Sequence, residues 1–415
     1  MPKIFEENNV ISILDIGTSK VLSLIAKKEK NNEINIIGFG IHPTDGLKKG
    51  IIINIEKTVE SIKKSLEKSQ NMAGITIHSV YVNISGINIQ GLNSNGIVAV
   101  KNKEISLSDV YKVINSAKII PISNSQKILH ILPQEFIVDN QKGIIDPIGI
   151  SGTRLESKVY LILSSLSIFQ NIAKCLYQCN LQILDIILGQ FAASYSVLTY
   201  EEKEIGTCLI DIGSGMTNII VFINGVVHHV YNLPISGSEV TNDIAHALVI
   251  SNNEAESLKI QHGLALAKLA SSEESIEIKS SIKEYNRYFS IKDIASVIEA
   301  RYEEIFSLIY SNLEINNFIN KINAGIVLVG GGSKINALLK LAESIFNLPV
   351  RLGVPNKYIK GSYEISNIQE DISYATGIGL LLYSDKQKKY RSINHFTKKK
   401  FLFWKKIKNW LYKNF

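Results

Sequence analysis

Two short turns in the sequence carry residue types that could bind a phosphorylated ligand. Residues 12–25 and 208–223 each hold an apolar run that ends in Asp-Ile-Gly, followed by small or hydroxyl residues and a second apolar run. A carboxylate at a strand end can hold hydrated Mg²⁺, a cation that takes few carboxylates. Glycine lets backbone amides approach a polyphosphate. We therefore predict that Asp15 and Asp211 hold Mg²⁺ through water while the two turns clamp phosphates.

The predicted phosphate contacts are the glycine, hydroxyl and polar positions of these turns. Besides the two aspartates, they are Gly17, Thr18, Ser19, Lys20, Gly213, Ser214, Gly215, Thr217 and Asn218. A third turn, formed by Gly330, Gly331, Gly332 and Ser333, follows a buried apolar strand and opens a helix predicted at 335–347. Such a turn admits a purine and ribose. The alternative is that each is an ordinary turn. Repetition in matching context favours a ligand site.

The elements around these turns indicate two similar lobes. The Asp-Ile-Gly pattern recurs after about 196 positions, which is typical of a duplicated unit. A hairpin is predicted over 10–26 and an amphipathic helix over 54–73. The 415 residues suggest two to four structural units. With 45% apolar and 20% charged residues, the chain is not largely disordered.

The positive charge lies at the end of the chain. The net charge is +7, yet residues 385–415 hold 11 of the 45 Lys and Arg and one acid. The body is therefore mildly acidic and predicted to bind no nucleic acid. Three cysteines are too few for a disulfide framework or a zinc site. The N-terminus resembles neither a signal peptide nor an anchor, so we expect a cytosolic chain.

The last sixteen residues, 400–415, predict an amphipathic helix. One side carries aromatic and aliphatic residues and the other mostly lysines, the pattern of a helix lying in the plane of an anionic membrane. The predicted membrane-binding residues are Phe403, Trp404, Lys405, Lys406, Ile407, Lys408, Trp410, Leu411, Lys413 and Phe415. Two alternatives remain, a helix docked on the protein's own body and a helix that binds a partner protein.

The order of these motifs resembles a known superfamily. The segments DIGTSK (15–20), DIGSGMTN (211–218), GGGS (330–333) and YATGIG (374–379) are similar to the phosphate, adenosine and connecting segments of the actin/Hsp70/hexokinase ATPases. Residues 130–162, 191–215, 254–263 and 297–306 resemble, more narrowly, the FtsA family of bacterial cell division proteins. The resemblance covers essentially the whole chain.

The resemblance implies an α/β fold, the actin-like two-lobed ATPase fold of duplicated ribonuclease-H-like lobes, with an FtsA-specific inserted subdomain and a C-terminal amphipathic helix. The implied division is 1–85 and 161–199 for the core of lobe 1, 86–160 for the insertion, 200–235 and 315–384 for the core of lobe 2, 236–314 for its small subdomain, 385–399 for a flexible basic linker, and 400–415 for the membrane helix.

The resemblance also implies a function. Such a protein binds ATP and Mg²⁺, polymerises with itself, and tethers the FtsZ ring to the cytoplasmic side of the inner membrane at the division septum while later division proteins are recruited. Gly237, Glu256 and Lys259 would surround the nucleotide, and Arg301 and Glu304 would receive the C-terminal peptide of FtsZ. The alternative for Lys259 is a solvated helix residue.

Catalysis is expected to be weak. Where many relatives place an acid before the second phosphate turn, this chain has Gly189, followed by Gln190. A glutamine can orient water but cannot take its proton. No catalytic group is assigned beyond Asp211 and Gln190 as candidates, and we expect ATP to act as a conformational ligand.

Two alternative functions remain for the whole protein. One is a phosphotransferase, for which no substrate-facing acid is found, and the other is a cell-shape actin, whose amphipathic segment tends to lie at the N-terminus.

Overall fold

The computed structural model describes residues 9–29, 33–271, 274–278, 287–355, 359–360 and 370–395. The predicted membrane-binding residues in 400–415 and the last part of the predicted linker, 396–399, lie outside the described residues.

The chain begins with the predicted hairpin and continues into a sheet covered by a long helix. The elements are β1 (Val10–Ile16), β2 (Lys20–Lys28), β3 (Ile34–Pro43), β4 (Leu47–Lys48), β5 (Ile51–Ile52), α1 (Ile55–Ala73) and β6 (Ser79–Ile84). The Asn54 side chain caps α1 by accepting from the Lys57 amide at 3.0 Å, and Gly74 ends the helix in the left-handed region. The buried face of α1 packs against β2 and β3 and holds them in place.

A separate four-stranded sheet interrupts the first lobe. Its elements are β7 (Gln90–Ala99), α2 (Leu107–Ala117), β8 (Gln126–Val138), β9 (Gln141–Ile144) and β10 (Arg154–Ser165), with strand order β7-β10-β8-β9. Residues 161–165, which the resemblance assigned to the core of lobe 1, are the end of β10, which pairs with β7 and β8. The sheet therefore reaches past the predicted boundary at 160, because twelve consecutive residues of β10 find partners within the insertion.

The chain then completes the first lobe and forms the second. These elements are α3 (Leu166–Gln178), β11 (Gln182–Leu188), α4 (Gly189–Val197), α5 (Tyr200–Ile205), β12 (Thr207–Ile212), β13 (Thr217–Ile223), β14 (Val226–Leu233), α6 (Gly237–Leu248), α7 (Asn252–His262), β15 (Ser275–Ile278), β16 (Arg287–Ser290), α8 (Ile291–Ile315), β17 (Ile326–Val329), α9 (Leu338–Phe346), β18 (Val350–Leu352), β19 (Ile359–Lys360) and α10 (Ala375–His395).

Both lobes are built on the same five-strand arrangement. The order is β3-β2-β1-β6-β11 in the first and β14-β13-β12-β17-β18 in the second, with β19 added beside β3. In each lobe the first strand pairs antiparallel with its hairpin partner and parallel with the fourth strand. The duplication predicted from the repeated Asp-Ile-Gly pattern is confirmed at the level of topology.

An apolar core joins the lobes at their base. It combines residues of β1, β2, β12 and β13 with the helices α4 and α10 that lie between the sheets. Helix α10 continues to His395, through most of the segment predicted to be a flexible linker. Its lysines, glutamine and arginine are good helix formers, so a polar composition did not end the helix.

Candidate functional site

The two predicted carboxylates lie at the ends of corresponding strands, partly buried between the lobes. Asp15 is at the end of β1 and Asp211 at the end of β12. Asn83 Nδ2 donates to Asp15 Oδ1 at 2.6 Å, and Asn83 Oδ1 accepts from the Ile16 amide at 2.8 Å. Thr376 Oγ1 donates to Asp211 Oδ2 at 3.3 Å. Each carboxylate is thus held by one neutral donor.

The cleft makes both carboxylates unusually reluctant to ionise. Burial raises the pKa of Asp15 to about 7, and the charge of Asp211 adds to the rise, while Lys20 opposes it. Burial raises the pKa of Asp211 to about 6, opposed by the Thr376 hydrogen bond and by Lys20. A cation placed between them would reverse this effect, because opposite charge favours the ionised form.

The two turns that follow the carboxylates have the same backbone geometry. The Gly17 amide donates to the Lys20 carbonyl at 3.0 Å, and the Gly213 amide donates to the Met216 carbonyl at 3.0 Å. A Cβ atom at Gly17 or Gly213 would lie 3.1 Å from that carbonyl oxygen. Glycine therefore allows the amide of each turn to approach the carbonyl closely. The similarity between the two Asp-Ile-Gly turns thus extends to individual hydrogen bonds.

The turns meet across the cleft. A Cβ atom at Gly215 would lie 2.8 Å from Thr18 Oγ1, so glycine is needed for this approach. The Thr18 hydroxyl also accepts from the Gly50 amide at 3.2 Å. Ser19 is exposed, and its carbonyl accepts from the Thr44 amide at 3.0 Å. The structure therefore brings Thr18 to the lobe interface and leaves Ser19 at the surface.

Lys20 extends from the first turn toward the segment before α10. Its Nζ donates to Ser373 Oγ at 2.9 Å and lies 3.7 Å from the centroid of the Tyr374 ring. Burial lowers the pKa of Lys20, although Asp15 counteracts this. A cation on an aromatic face beside two carboxylates is well placed to meet an anionic ligand.

The second turn rests on the start of α6. The Gly237 amide donates to the Gly213 carbonyl at 3.1 Å, and the Ser238 amide donates to the Ser214 carbonyl at 2.8 Å. These bonds tie two carbonyl groups of the turn to the start of α6. The predicted residues Gly213, Ser214 and Gly237 are therefore brought together, at the positive end of a helix.

Lys259 is a buried residue of the same region. Its Nζ donates to the Gly237 carbonyl at 2.9 Å, to Thr241 Oγ1 at 2.7 Å and to Glu256 Oε2 at 2.6 Å. Only 8% of the residue is exposed, which excludes the alternative of a solvated surface lysine. Gly237, Glu256 and Lys259 thus form one cluster.

The third glycine turn packs directly on Asp211. Gly330 has φ +87°, and a Cβ atom there would lie 2.4 Å from Asp211 Oδ1. The next residues form a 3₁₀ turn, Gly331–Lys334, and α9 begins only at Leu338, later than the predicted 335. Ser333 is buried and donates to the Val329 carbonyl at 2.6 Å, so its hydroxyl serves the turn.

Two predicted hydroxyl and amide positions of β13 face inward. Thr217 is buried and its hydroxyl donates to the Ile235 carbonyl at 2.8 Å. Asn218, directly opposite Asp211 in the sheet, is also buried. Gln190 is buried as well, and its Nε2 donates to Asn232 Oδ1 at 2.9 Å. Gln190 is therefore directed into the interior of the protein.

Gly189 occupies the position next to the carboxylates. A Cβ atom there would lie 3.6 Å from the Ile84 carbonyl oxygen, 3.8 Å from Thr376 Cγ2 and 3.9 Å from Asn83 Nδ2. Asn83 and Thr376 are the donors that hold Asp15 and Asp211. A side chain at 189 would thus enter the cleft.

Sequence reasoning missed four contributors, which are Asn83, Ser373, Tyr374 and Thr376. Asn83 carried a signal, because it is a polar residue near the end of an apolar strand, and β6 runs parallel to β1. The other three belong to the segment quoted for its resemblance or directly precede it. They are distant from the turns in sequence, so only the fold brings them to the cleft.

The predicted peptide-binding pair is already engaged within the chain. Arg301 on α8 donates to both carboxylate oxygens of Asp243 on α6, at 2.5 Å and 2.9 Å, and also contacts Glu304. These acids hold the pKa of Arg301 above its usual value. Any peptide carboxylate would have to compete with Asp243 for the guanidinium group.

The donor set fits a hydrated magnesium ion. Two carboxylates from the two lobes match a hard cation that takes few carboxylates and keeps most of its waters. Within the described residues, no cluster of three or more His, Cys, Asp or Glu side chains could form a closed metal cage. Among the described helices, none is both long enough and apolar enough to cross a bilayer.

Sequence comparison identifies relatives along the whole chain. Residues 208–379 match the family described as cell division protein FtsA, and residues 86–163 match the SHS2 domain inserted in FtsA. The cell division protein FtsA of Pseudomonas aeruginosa is 44% identical over 91% of this chain and 90% of its own. That of Buchnera aphidicola subsp. Baizongia pistaciae is 37% identical over the full length of both.

Solved structures with a similar fold include proteins of the actin type. The PilM-PilN pilus biogenesis complex has a chain that matches with a TM-score of 0.65 at 16% identity, covering 90% of this chain and 98% of its own. MreB5 of Spiroplasma citri bound to AMPPNP matches with 0.58 at 16%, covering 93% and 98%. The MamK double helical filament matches with 0.52 at 13%, covering 91% and 98%. The expected actin-like two-lobed fold with an inserted SHS2 domain is therefore confirmed.

Proposed function

The chain belongs to the FtsA family of cell division proteins, and from this premise we propose that it tethers the FtsZ ring to the cytoplasmic side of the inner membrane at the septum. In this role it binds ATP with Mg²⁺ between its lobes, polymerises, and helps to recruit later division proteins. Its actin-like fold supports self-association, since MamK, a structural neighbour, forms a double helical filament.

The observation that carries the nucleotide proposal is the pair of matching turns at the cleft. Asp15 and Asp211 end equivalent strands, and the turn after each closes with the same amide-to-carbonyl bond at 3.0 Å. Together they offer backbone amides from both lobes to one polyphosphate. Asp15 and Asp211 would hold Mg²⁺ through water, and the ion would supply positive charge to the phosphates.

ATP acts in this proposal as a ligand that closes the lobes. Gly189 supplies no side chain to the cleft, and Gln190 donates to Asn232 in the interior. Asp15 and Asp211 are the carboxylates left in the cleft, and in this proposal they hold the metal, so neither Gly189 nor Gln190 provides a further group to orient or deprotonate water. The chain is thus at most a weak ATPase, and its conformation follows which nucleotide is bound.

The C-terminal residues provide the membrane contact. Lys405, Lys406, Lys408 and Lys413 would each contribute roughly 1 kcal/mol near an anionic surface. The aromatic residues Trp404 and Trp410 would bury in the interface. Helix α10 reaches His395, five residues before the segment proposed to bind the membrane.

The FtsZ contact is assigned to the α6–α8 surface around Arg301 and Glu304. FtsZ would present an acidic C-terminal peptide, and the guanidinium group of Arg301 suits bidentate binding of a carboxylate. Asp243 holds the guanidinium group of Arg301 in a fixed orientation. The side chain of Arg301 is 25% exposed and that of Asp243 is 29% exposed. A peptide carboxylate would therefore bind by displacing Asp243 from a guanidinium group that is already oriented and partly exposed.

Co-sedimentation with anionic liposomes and FtsZ tests the proposal directly. The full chain and a truncation after His395 are compared with and without ATP. We expect the full chain to carry FtsZ into the liposome pellet, and the truncated chain to bind ATP and FtsZ but stay in solution. Equal pelleting of both chains would refute the tail as anchor, and liposome binding without FtsZ would refute the tether.

A further inference from the structure

The open side of the cleft is crossed by an ion pair. Lys49 belongs to the turn between β4 and β5 in the first lobe, and Glu239 lies in the first turn of α6 in the second. Lys49 Nζ is 3.2 Å from Glu239 Oε1, with side chains 40% and 18% exposed. The apolar core joins the lobes at their base. The Lys49–Glu239 ion pair adds a second contact between the lobes, beside the predicted phosphate turns.

The lysine end of the bridge is tied to the first phosphate turn. Lys49 has φ +48° and Gly50 has φ +72°, so the hairpin turns with two left-handed residues. A lysine in this region is uncommon. The Gly50 amide donates to Thr18 Oγ1 at 3.2 Å, which fixes the tip of the hairpin to the turn that follows Asp15.

The glutamate end is tied to the second phosphate turn. Glu239 Oε2 accepts from the Ser236 amide at 3.1 Å and from Ser238 Oγ at 3.0 Å, which leaves Oε1 for Lys49. Ser236 Oγ in turn contacts the Gly213 and Met216 carbonyls, at 2.6 Å and 2.9 Å. The carboxylate is therefore positioned by the helix cap that supports the turn after Asp211.

We propose that the Lys49–Glu239 bridge controls nucleotide exchange by holding the phosphate turns of the two lobes together. The lobes cannot separate at this side without breaking the bridge, because each end is anchored to a different turn. The inference rests on the proposed binding of nucleotide in the cleft. Since both side chains are partly exposed, the effect is moderate and screened by salt.

Release of a fluorescent ATP analogue, chased with excess ATP in the presence of Mg²⁺, measures this control on the full chain. Lys49→Gln and Glu239→Gln each break the ion pair, and glutamine at 239 can still accept the capping hydrogen bonds. At low salt each substitution should speed release about three- to tenfold, and the difference should shrink at high salt. The double substitution should release no faster than either single one.

Lys48→Gln is the matched control, since it removes the same charge from the adjacent exposed residue of the same hairpin. It should release the analogue at the rate of the unsubstituted chain. Unchanged release in Lys49→Gln, or effects that multiply in the double variant, would overturn the proposal. A speed-up in Lys48→Gln equal to that in Lys49→Gln would do the same.

Amide hydrogen exchange separates this proposal from the nucleotide assignment, because it needs no nucleotide. In the ligand-free chain, Lys49→Gln and Glu239→Gln should each accelerate exchange over residues 47–52 several-fold, while Lys48→Gln should not. If exchange is accelerated in these variants but the unsubstituted chain takes up no analogue, the nucleotide assignment is overturned. The conclusion that Lys49 and Glu239 hold the lobes together would then still stand. Unchanged exchange together with tight analogue binding would overturn the bridge alone.

Discussion

At the scale of single residues, the cleft is defined by two carboxylates that resist ionisation. Asp15 and Asp211 come from different lobes, and burial raises both pKa values. Without a bound cation, the folded protein must either keep the two carboxyl groups protonated or bury their negative charge. Their arrangement therefore makes the ligand-free protein sensitive to pH, and the Mg²⁺ proposed for the cleft would relieve this sensitivity.

Replacing Asp15 by asparagine should stabilise the ligand-free protein at alkaline pH. The folded-state pKa of about 7 exceeds the ordinary value of 3.8, so folding favours the protonated form. The resulting stability is complete below pH 4 and is lost as the pH rises through about 7. Urea unfolding without Mg²⁺ should show Asp15→Asn more stable than the unsubstituted chain by about 1–3 kcal/mol at pH 8, with a smaller gap at pH 5.

The exposed Asp146 offers a matched carboxylate, because asparagine there can still accept from the Ile148 amide. Asp146→Asn should leave the unfolding free energy within about 0.5 kcal/mol at every pH. Parallel stability curves for Asp15→Asn and the unsubstituted chain would contradict the assignment of a raised pKa to Asp15.

A side chain at Gly189 should raise ATP hydrolysis. Gly189→Gln would place an amide beside the donors of Asp15 and Asp211, where it could orient water, and the nearest atom to its Cβ is 3.6 Å away. We expect steady-state phosphate release to rise about tenfold. Gly189→Ala adds the Cβ alone and should not hydrolyse faster. Gln190→Ala should lower stability without changing turnover, since Gln190 points to Asn232. If ATP turnover falls in Gln190→Ala and stays unchanged in Gly189→Gln, then Gln190 and not position 189 governs the orientation of water.

At the scale of elements, the periodic spacing of apolar residues predicted most of the elements that form from local sequence alone. The hairpin at 10–26, the helix at 54–73 and the repeated Asp-Ile-Gly unit all formed as expected, because their apolar spacing and capping residues act locally. The assignment of residues 161–165 failed because a strand carries no local signal of which sheet it joins. Likewise, Thr376 could not be placed at Asp211 before the fold was known, since 165 residues separate them.

The α6–α8 surface leads to a prediction about FtsZ. If Arg301 binds a peptide carboxylate, Arg301→Glu should weaken binding of the FtsZ C-terminal peptide about tenfold or more. Asp243→Asn should strengthen binding, because it removes the acid that competes for the guanidinium group. Fluorescence anisotropy of a labelled peptide measures both.

Lys292→Glu on the exposed start of α8 reverses the same charge and serves as the control. It should weaken peptide binding less than twofold at moderate salt. Equal losses in Arg301→Glu and Lys292→Glu would mean that the peptide senses net charge only. Weaker binding in Asp243→Asn would mean that Arg301 acts by positioning α6 and α8.

At the scale of the whole molecule, α10 connects the cleft to the end of the chain. A Cβ atom at Gly377 would lie 2.4 Å from Leu22, and one at Gly379 would lie 2.0 Å from the Ala192 carbonyl, so the helix packs closely on the first lobe. Asp385 contacts Lys28 of β2 further along. The start of the helix nevertheless touches Asp211 of the second lobe through Thr376. Relative movement of the lobes must therefore act on this helix.

The last prediction concerns transmission from the cleft to the membrane segment. Helix α10 has 21 residues and spans about 30 Å, so we predict that a shift at Thr376 reaches His395. If ATP changes liposome binding of the full chain, Thr376→Val should reduce that change at least twofold, because valine keeps the shape but cannot donate to Asp211. Binding without ATP should stay the same. Ser384→Ala removes a hydroxyl that serves only its own helix, bonding to the Leu380 carbonyl, and should preserve the full ATP response. Flotation on anionic liposomes across an ATP titration measures the response, and a Thr376→Val chain that responds like the unsubstituted one would show that the link to Asp211 carries no signal.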